Sequence, residues 1–276
     1  MQNINAKKPI GIFDSGVGGL SVLHEIRRAL PGEDLLYVAD SGHAPYGDKS
    51  QQFIEQRSIA ISEFLISNNV KAIVVACNTA TGAAIATLRS RFSVPIIAME
   101  PAVKPAVSLS KTGVIGVLAT SRTLAGDNFV QLFARHGGDV QILGQACPGL
   151  VEQVEAGDLS GPAARLLLER YVHPLLEQQA DIIVLGCTHY PFLASLIQEI
   201  VGPTVAVIDS AAAVARELYR RLEVEQLLAN DKKVGTELFW TSGSLAQAEP
   251  IFSQLWKENV DLNSLCDRRL SKNCCC

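Results

Sequence analysis

Ile73-Val74-Val75-Ala76-Cys77-Asn78-Thr79-Ala80-Thr81 and Ile183-Val184-Leu185-Gly186-Cys187-Thr188-His189-Tyr190-Pro191 follow one plan. Each is a short apolar run that ends in a cysteine and passes into hydroxyl, amide or imidazole side chains. Apolar runs of this length without alternation read as strands covered on both faces, which is the habit of parallel sheets. Outward from the first lie Pro9–Phe13 and Leu35–Ala39, and beyond it Val94–Ala98, all of the same kind. Between them come a helix bearing Leu20, Val22, Leu23, Ile26 and Leu30, and another from about Ser50 to Asn68. The rhythm then restarts at Val114-Ile115-Gly116-Val117-Leu118.

Four anchors recur in the same order at nearly constant spacing. Ile10-Gly11 matches Ile115-Gly116, and Asp34-Leu35-Leu36 matches Asp139-Val140-Gln141. Ile73–Cys77 matches Ile183–Cys187, and Ile97–Glu100 matches Ala206–Asp209. Apolar strands alone are common to all parallel α/β chains, but matched intervals with a cysteine at the same place argue for duplication. The expected fold is α/β: two similar doubly wound parallel-sheet domains related by a pseudo-twofold, with the active site in the cleft between them. After Asp209 a helix over Ala211–Leu222, a strand about Leu238-Phe239-Trp240 and a helix near Ala246–Trp256 are expected to pack back on one half. The segment after about Asp261 reads as a loose tail.

Composition narrows the classes. The chain has 276 residues, 48% of them hydrophobic and 19% charged, which suits an ordinary globular core. A net charge of −4 with no dense Lys/Arg stripe argues against nucleic acid as a partner. Met1–Pro9 has no apolar core of the signal-peptide kind, and runs such as Ala72–Cys77 are too short to span a bilayer. A cytoplasmic protein is expected, with no membrane partner. The seven cysteines show no disulfide-like spacing, so free thiols are expected; Cys274-Cys275-Cys276 reads as a tail without function.

Chemistry in parallel α/β sheets gathers beyond the carboxyl ends of the strands, and Cys77 and Cys187 both stand there. Backbone N–H groups and a positive helix end at such a place favour thiolate. One such cysteine reads as a small buried hydrophobe; two at equivalent positions suggest a paired function. Racemisation needs that pairing, because one group must stand on each face of the carbon that loses and regains its proton. The loop Asp14-Ser15-Gly16-Val17-Gly18-Gly19 follows a strand and opens a helix. Ser21 occupies the place of a third dinucleotide-motif glycine and the Walker lysine is missing, so a turn offering N–H groups and the Ser15 hydroxyl to a small carboxylate fits better. Cys187 and His189 lack a second pair at zinc spacing, so no metal is expected. Nothing requires pyridoxal phosphate or another cofactor.

Gly11–Leu20, Ala44-Pro45-Tyr46-Gly47, Ala76–Ala80 and Gly186–Pro191 together resemble the glutamate racemase family of the cofactor-independent aspartate/glutamate racemase superfamily. The resemblance covers roughly residues 10–193 and extends in type to about Asp209-Ser210. It implies interconversion of L- and D-glutamate without cofactor or metal, supplying D-glutamate for peptidoglycan. It implies a discontinuous first domain, 1–98 plus 207–276, carrying Cys77, and a second, 99–206, carrying Cys187. Cys77 and Cys187 become the acid/base pair, the first acting on the D- and the second on the L-enantiomer. Asp14, Ser15, Tyr46, Gly47, Asn78, Thr79, Thr188 and His189 match substrate-contacting positions, with Thr120 a further contact. Ala146–Glu155 resembles the family's Cys-Pro loop, whose glutamate supports the histidine; register favours Glu155, with Glu152 close by. A homodimer is also implied. The readings left beside it are a superfamily racemase acting on aspartate or another small amino acid, a two-lobed small-molecule binding module, and a cysteine hydrolase.

Overall fold

The computed structural model describes residues 4–136, 138, 140–229 and 233–265; Asp139, Cys266 and Cys274–Cys276 lie outside them. The strands are β1 (Ile10–Asp14), β2 (Leu35–Ala39), β3 (Ala72–Val75), β4 (Ile96–Ala98), β5 (Val114–Ala119), β6 (Gln141–Ala146), β7 (Ile182–Leu185), β8 (Ala206–Ile208), β9 (Glu237–Thr241) and β10 (Leu262–Ser264). They form two sheets, ordered β10-β9-β2-β1-β3-β4 and β6-β5-β7-β8. Every pairing is parallel. The run β2-β1-β3-β4 has the same order as β6-β5-β7-β8, as the repeat requires. Register agrees: Gly11 pairs with Ile73, and its counterpart Gly116 pairs with Ile183.

Alternation of side chains across each strand feeds two cores. In the first sheet Ile10, Ile12, Tyr37 and Val74 face one way, against helices Leu20–Ala29, Ala211–Val224 and Leu245–Trp256. Phe13, Leu36, Val38, Ile73 and Val75 face the other, against Gln51–Ser67 and Asn78–Arg91. The second sheet repeats the scheme: Val117, Ile182 and Val184 meet Val103, Phe129 and Leu132, while Ile183 and Leu185 meet Leu168, Leu175 and Ile197. Both α/β sheets are therefore covered on two faces. Strand β8 crosses the expected 206/207 domain boundary, and its pairing with β7 keeps Val207 and Ile208 on the second sheet.

The end of the described chain corrects one expectation. Leu262–Ser264 is a strand, not a loose tail, paired in parallel with β9 through Leu262 and Phe239. Its Leu-Asn-Ser sequence holds one apolar residue, too few to show a period. Strand β9 lies beside β2, and its Phe239 packs edge-on to Tyr37, Phe252 and Trp256, with centroids 6.5, 5.9 and 5.6 Å away. Among the described residues no helix is long and apolar enough to cross a membrane.

If this aromatic cluster closes the first sheet's core, Phe239→Ala should cost about 3–5 kcal/mol. Urea unfolding would measure it; a loss below about 1 kcal/mol would mean that β9 is peripheral to the fold.

Candidate active site

Strand β3 ends directly before Ala76-Cys77, and β7 directly before Gly186-Cys187. Both sulfurs therefore leave the carboxyl edge of a central strand, one in each half. They line one cavity of about 10 Å³, room for about one water molecule. Ser15, Tyr46, Gly47, Asn78, Thr79, Thr120, Thr188 and His189, all expected from the sequence, line it too. Pro45 and Val151 also reach it; both sit inside motifs quoted above, but nothing in their chemistry singled them out.

Asp14, expected at the substrate, lies behind this lining and is fully buried. Its Oδ1 accepts the Ser15 N–H at 2.7 Å and its Oδ2 the Gly19 N–H at 2.6 Å. From the other half, the Thr188 hydroxyl donates to Oδ2 at 3.2 Å. Val17 N–H goes to Glu155 Oε1 at 2.8 Å. The glycine-rich loop was expected to hold an outside carboxylate with these amides. Instead, those of Ser15, Val17 and Gly19 hold two of the chain's own.

Glu155 resolves the choice left open with Glu152. Its Oε1 lies 2.7 Å from His189 Nε2, and its Oε2 accepts the Ser41 hydroxyl at 3.3 Å. The other ring nitrogen, Nδ1, stands 3.7 Å from Cys187 Sγ. Burial works against charging His189, but hydrogen bonds to Cys187 and Glu155 and their negative charge outweigh it and raise its pKa well above 6.5. Close approach depends on missing side chains. A Cβ on Gly16 would lie 1.8 Å from Glu155 Oε1, and one on Gly18 would lie 2.3 Å from His189 Nδ1.

Cys77 departs from the expectation of a thiolate. It caps the helix Asn78–Arg91, and Sγ accepts the Ala80 N–H at 3.4 Å. Burial and the negative charge of Asp14 nevertheless push its pKa well above 9, with the Ala80 contact a smaller opposing influence. Cys187, unlike Cys77, caps no helix: a single 3-10 turn, Tyr190–Leu193, separates it from the helix Ala194–Val201. The two thiols are thus electrostatically unlike, one beside a carboxylate and the other beside an imidazole.

Polar walls complete the cavity. Tyr46 was expected to touch substrate, but its hydroxyl donates to Asp40 Oδ2 at 2.5 Å. Burial disfavours ionised Asp40, yet its bonds to His43, Arg57 and Tyr46 hold its pKa below the usual value. Arg57 grips it at 2.9 and 2.7 Å, and Ser242, just past β9, donates at 2.7 Å. No local pattern announces this network, which fixes the Ala44–Gly47 loop. The Thr79 hydroxyl bonds those of Thr120 and Thr123 at 3.0 and 3.1 Å. Both polar atoms of the buried Asn78 amide lack a hydrogen-bond partner within the protein, a state that costs about 1–3 kcal/mol for each group left unsatisfied. Among the described residues no group of three His, Cys, Asp or Glu is placed to hold a metal ion.

Two parallel-sheet halves with one thiol each on a shared cavity define a two-lobed α/β protein with paired strand-end cysteines. A family model described as Asp/Glu/hydantoin racemase matches residues 10–218, and the chain belongs to that family. It is 57% identical over 248 residues to a glutamate racemase of Methylococcus capsulatus, covering 90% of this chain and 92% of that one. Glutamate racemase isoform RacE1 of Bacillus anthracis superposes with a TM-score of 0.86 at 33% identity, covering 94% and 97% of the two chains. Escherichia coli glutamate racemase, in complex with L-glutamate and the activator UDP-MurNAc-Ala, gives 0.82 at 32%, covering 93% and 97%.

The raised His189 pKa has a stability consequence with a definite sign. The folded state binds this proton more tightly than the unfolded chain, so the stabilisation is complete below the unfolded value of about 6.5. It is lost as pH rises through the higher folded value. In 15N NMR the His189 ring should stay imidazolium above pH 6.5, and Glu155→Gln should lower its midpoint. A ring already neutral at pH 6.5 in the unsubstituted protein would contradict the Glu155–His189–Cys187 assignment.

Proposed function

We propose that the protein interconverts L- and D-glutamate by proton transfer between the substrate α-carbon and two thiols, Cys77 and Cys187. The observation carrying this reading is that equivalent strand ends of two like halves deliver one sulfur each to a single cavity. On L-glutamate, Cys187 takes the α-proton while Cys77, whose pKa burial and Asp14 raise, donates one to the opposite face. On D-glutamate the roles exchange. Each turnover leaves the pair with its proton moved from one sulfur to the other, so no external acid is needed.

His189 serves as the electrostatic partner of Cys187, and Asp14 as that of Cys77. Glu155 is a positioning residue acting through His189. The Asn78 amide, the hydroxyls of Ser15, Thr79, Thr120 and Thr188, and the backbone at Tyr46-Gly47 supply donors for the substrate carboxylates. A cavity with room for one water cannot hold an amino acid, so binding requires the halves to part and close again. The halves are residues 1–98 with 207–276, and 99–206, the boundary falling within β8. The D-glutamate serves peptidoglycan synthesis, and the enzyme works as a cytoplasmic homodimer. These last points rest on the family resemblance.

Cys77→Ser and Cys187→Ser should each lower racemisation about a hundredfold or more, the scale of a lost general acid or base. Chiral chromatography of glutamate after incubation without pyridoxal phosphate measures it. Full two-way turnover in either variant would overturn the two-thiol mechanism.

A further inference from the structure

A second cleft of about 260 Å³ lies against the reaction cavity, near the low end of about 300–1,000 Å³ typical of small-molecule sites. Asn78 and Thr79 line both spaces. The partition between them is hydroxyl to hydroxyl: Thr79 of the first half meets Thr120 and Thr123 of the second. Neutral hydrogen bonds of this kind are each worth only about 1 kcal/mol, so the partition opens more readily than a packed apolar wall.

Arg122 stands on this cleft with an unused charge. Its one hydrogen bond crosses between the halves to the Lys49 carbonyl at 2.9 Å. Among the described residues it forms no ion pair, whereas Arg57 and Arg27 are each paired with a carboxylate. A neighbouring pocket that shares Pro45, Gly47, Thr120 and Val151 with the reaction cavity measures about 20 Å³ and carries Asp48 and Glu152 with no arginine or lysine, so it is narrow and offers an anion no cation. The Arg122 cleft also carries Glu100 and Asp127, carboxylates suited to an ammonium group.

From these features we infer that the Arg122 cleft is an outer binding site and port for a dicarboxylic amino acid. There Arg122 takes one substrate carboxylate before Thr79 parts from Thr120 and Thr123. The inference rests on glutamate being the substrate. Releasing Lys49 to take the carboxylate frees the one bond by which Arg122 holds the halves together, so arrival of the ligand and opening of the cleft are coupled. Asn78 lines both spaces, and its buried, unpartnered amide can receive the same carboxylate once the partition opens.

Arg122→Ala and Arg122→Lys test this in the racemisation assay, in both directions and at low and high salt. Arg122→Ala should raise KM about tenfold with kcat within about twofold, and Arg122→Lys should recover most of the loss. The wild-type KM should rise with salt and that of Arg122→Ala should stay flat. An unchanged KM in Arg122→Ala, or a fall in kcat alone, would overturn the port, the second outcome leaving Arg122 a latch only. Turnover of glutamate by the wild type in the same assay tests the reaction separately. Its absence would reject the substrate, whereas a normal wild type with an indifferent Arg122→Ala rejects the port.

Discussion

The carboxylate of Glu155 is the point at which the two halves become one site. It leaves the helix Leu150–Glu155 of the second half and accepts an amide, Val17 N–H, from the glycine-rich loop of the first. The same Oε1 holds His189, which faces Cys187. Thr188 on Asp14, and Ser21 on the Thr188 carbonyl at 2.9 Å, repeat the crossing close by. A shift of one half against the other therefore disturbs both thiol partners together. Two sheets could bring their strand ends near each other in many ways, and these contacts select the one in which the sulfurs share a cavity.

Within that frame the chain sets its own charges beside its two cavity thiols. The glycine-rich loop spends its amides on Asp14 and Glu155 instead of on a ligand. Burial and then Asp14 raise the Cys77 pKa, while hydrogen bonds to Cys187 and Glu155 raise that of His189. The remaining polar groups of the cavity wall are mostly neutral, among them the unpartnered Asn78 amide. The division suits a reaction run in both directions. Strong cations against both substrate carboxylates would hold either enantiomer too long, whereas neutral donors bind it without a deep well.

The fold was legible because its central strands are apolar on both faces and its halves repeat. Ile73–Cys77 and Ile183–Cys187 alone announce a buried strand with a thiol at its carboxyl end, and most of the residues quoted from the motifs line the cavity where those strands end, with Asp14 behind it. What stayed hidden depends on contacts between residues far apart in the chain. The Tyr46 hydroxyl belongs to Asp40, which is held by Arg57 and by Ser242 some two hundred residues away. Glu155 and Val17 are 138 positions apart. Strand β10 offers only Leu262 to a hydrophobic pattern and owes its place to β9. The raised pKa of Cys77 stayed hidden for the same reason: helix geometry is local, while burial beside Asp14 is not.

The central claim is that each sulfur serves one face of the α-carbon. Racemisation in D2O, stopped at low conversion, tests it most directly by the isotope content of both enantiomers. Two separate proton-transferring groups predict deuterium at the α-carbon of the product enantiomer while the remaining substrate enantiomer keeps its proton. Substantial deuterium in recovered substrate at that stage, or product that retains the original hydrogen, would mean that a single group serves both faces and would contradict the account.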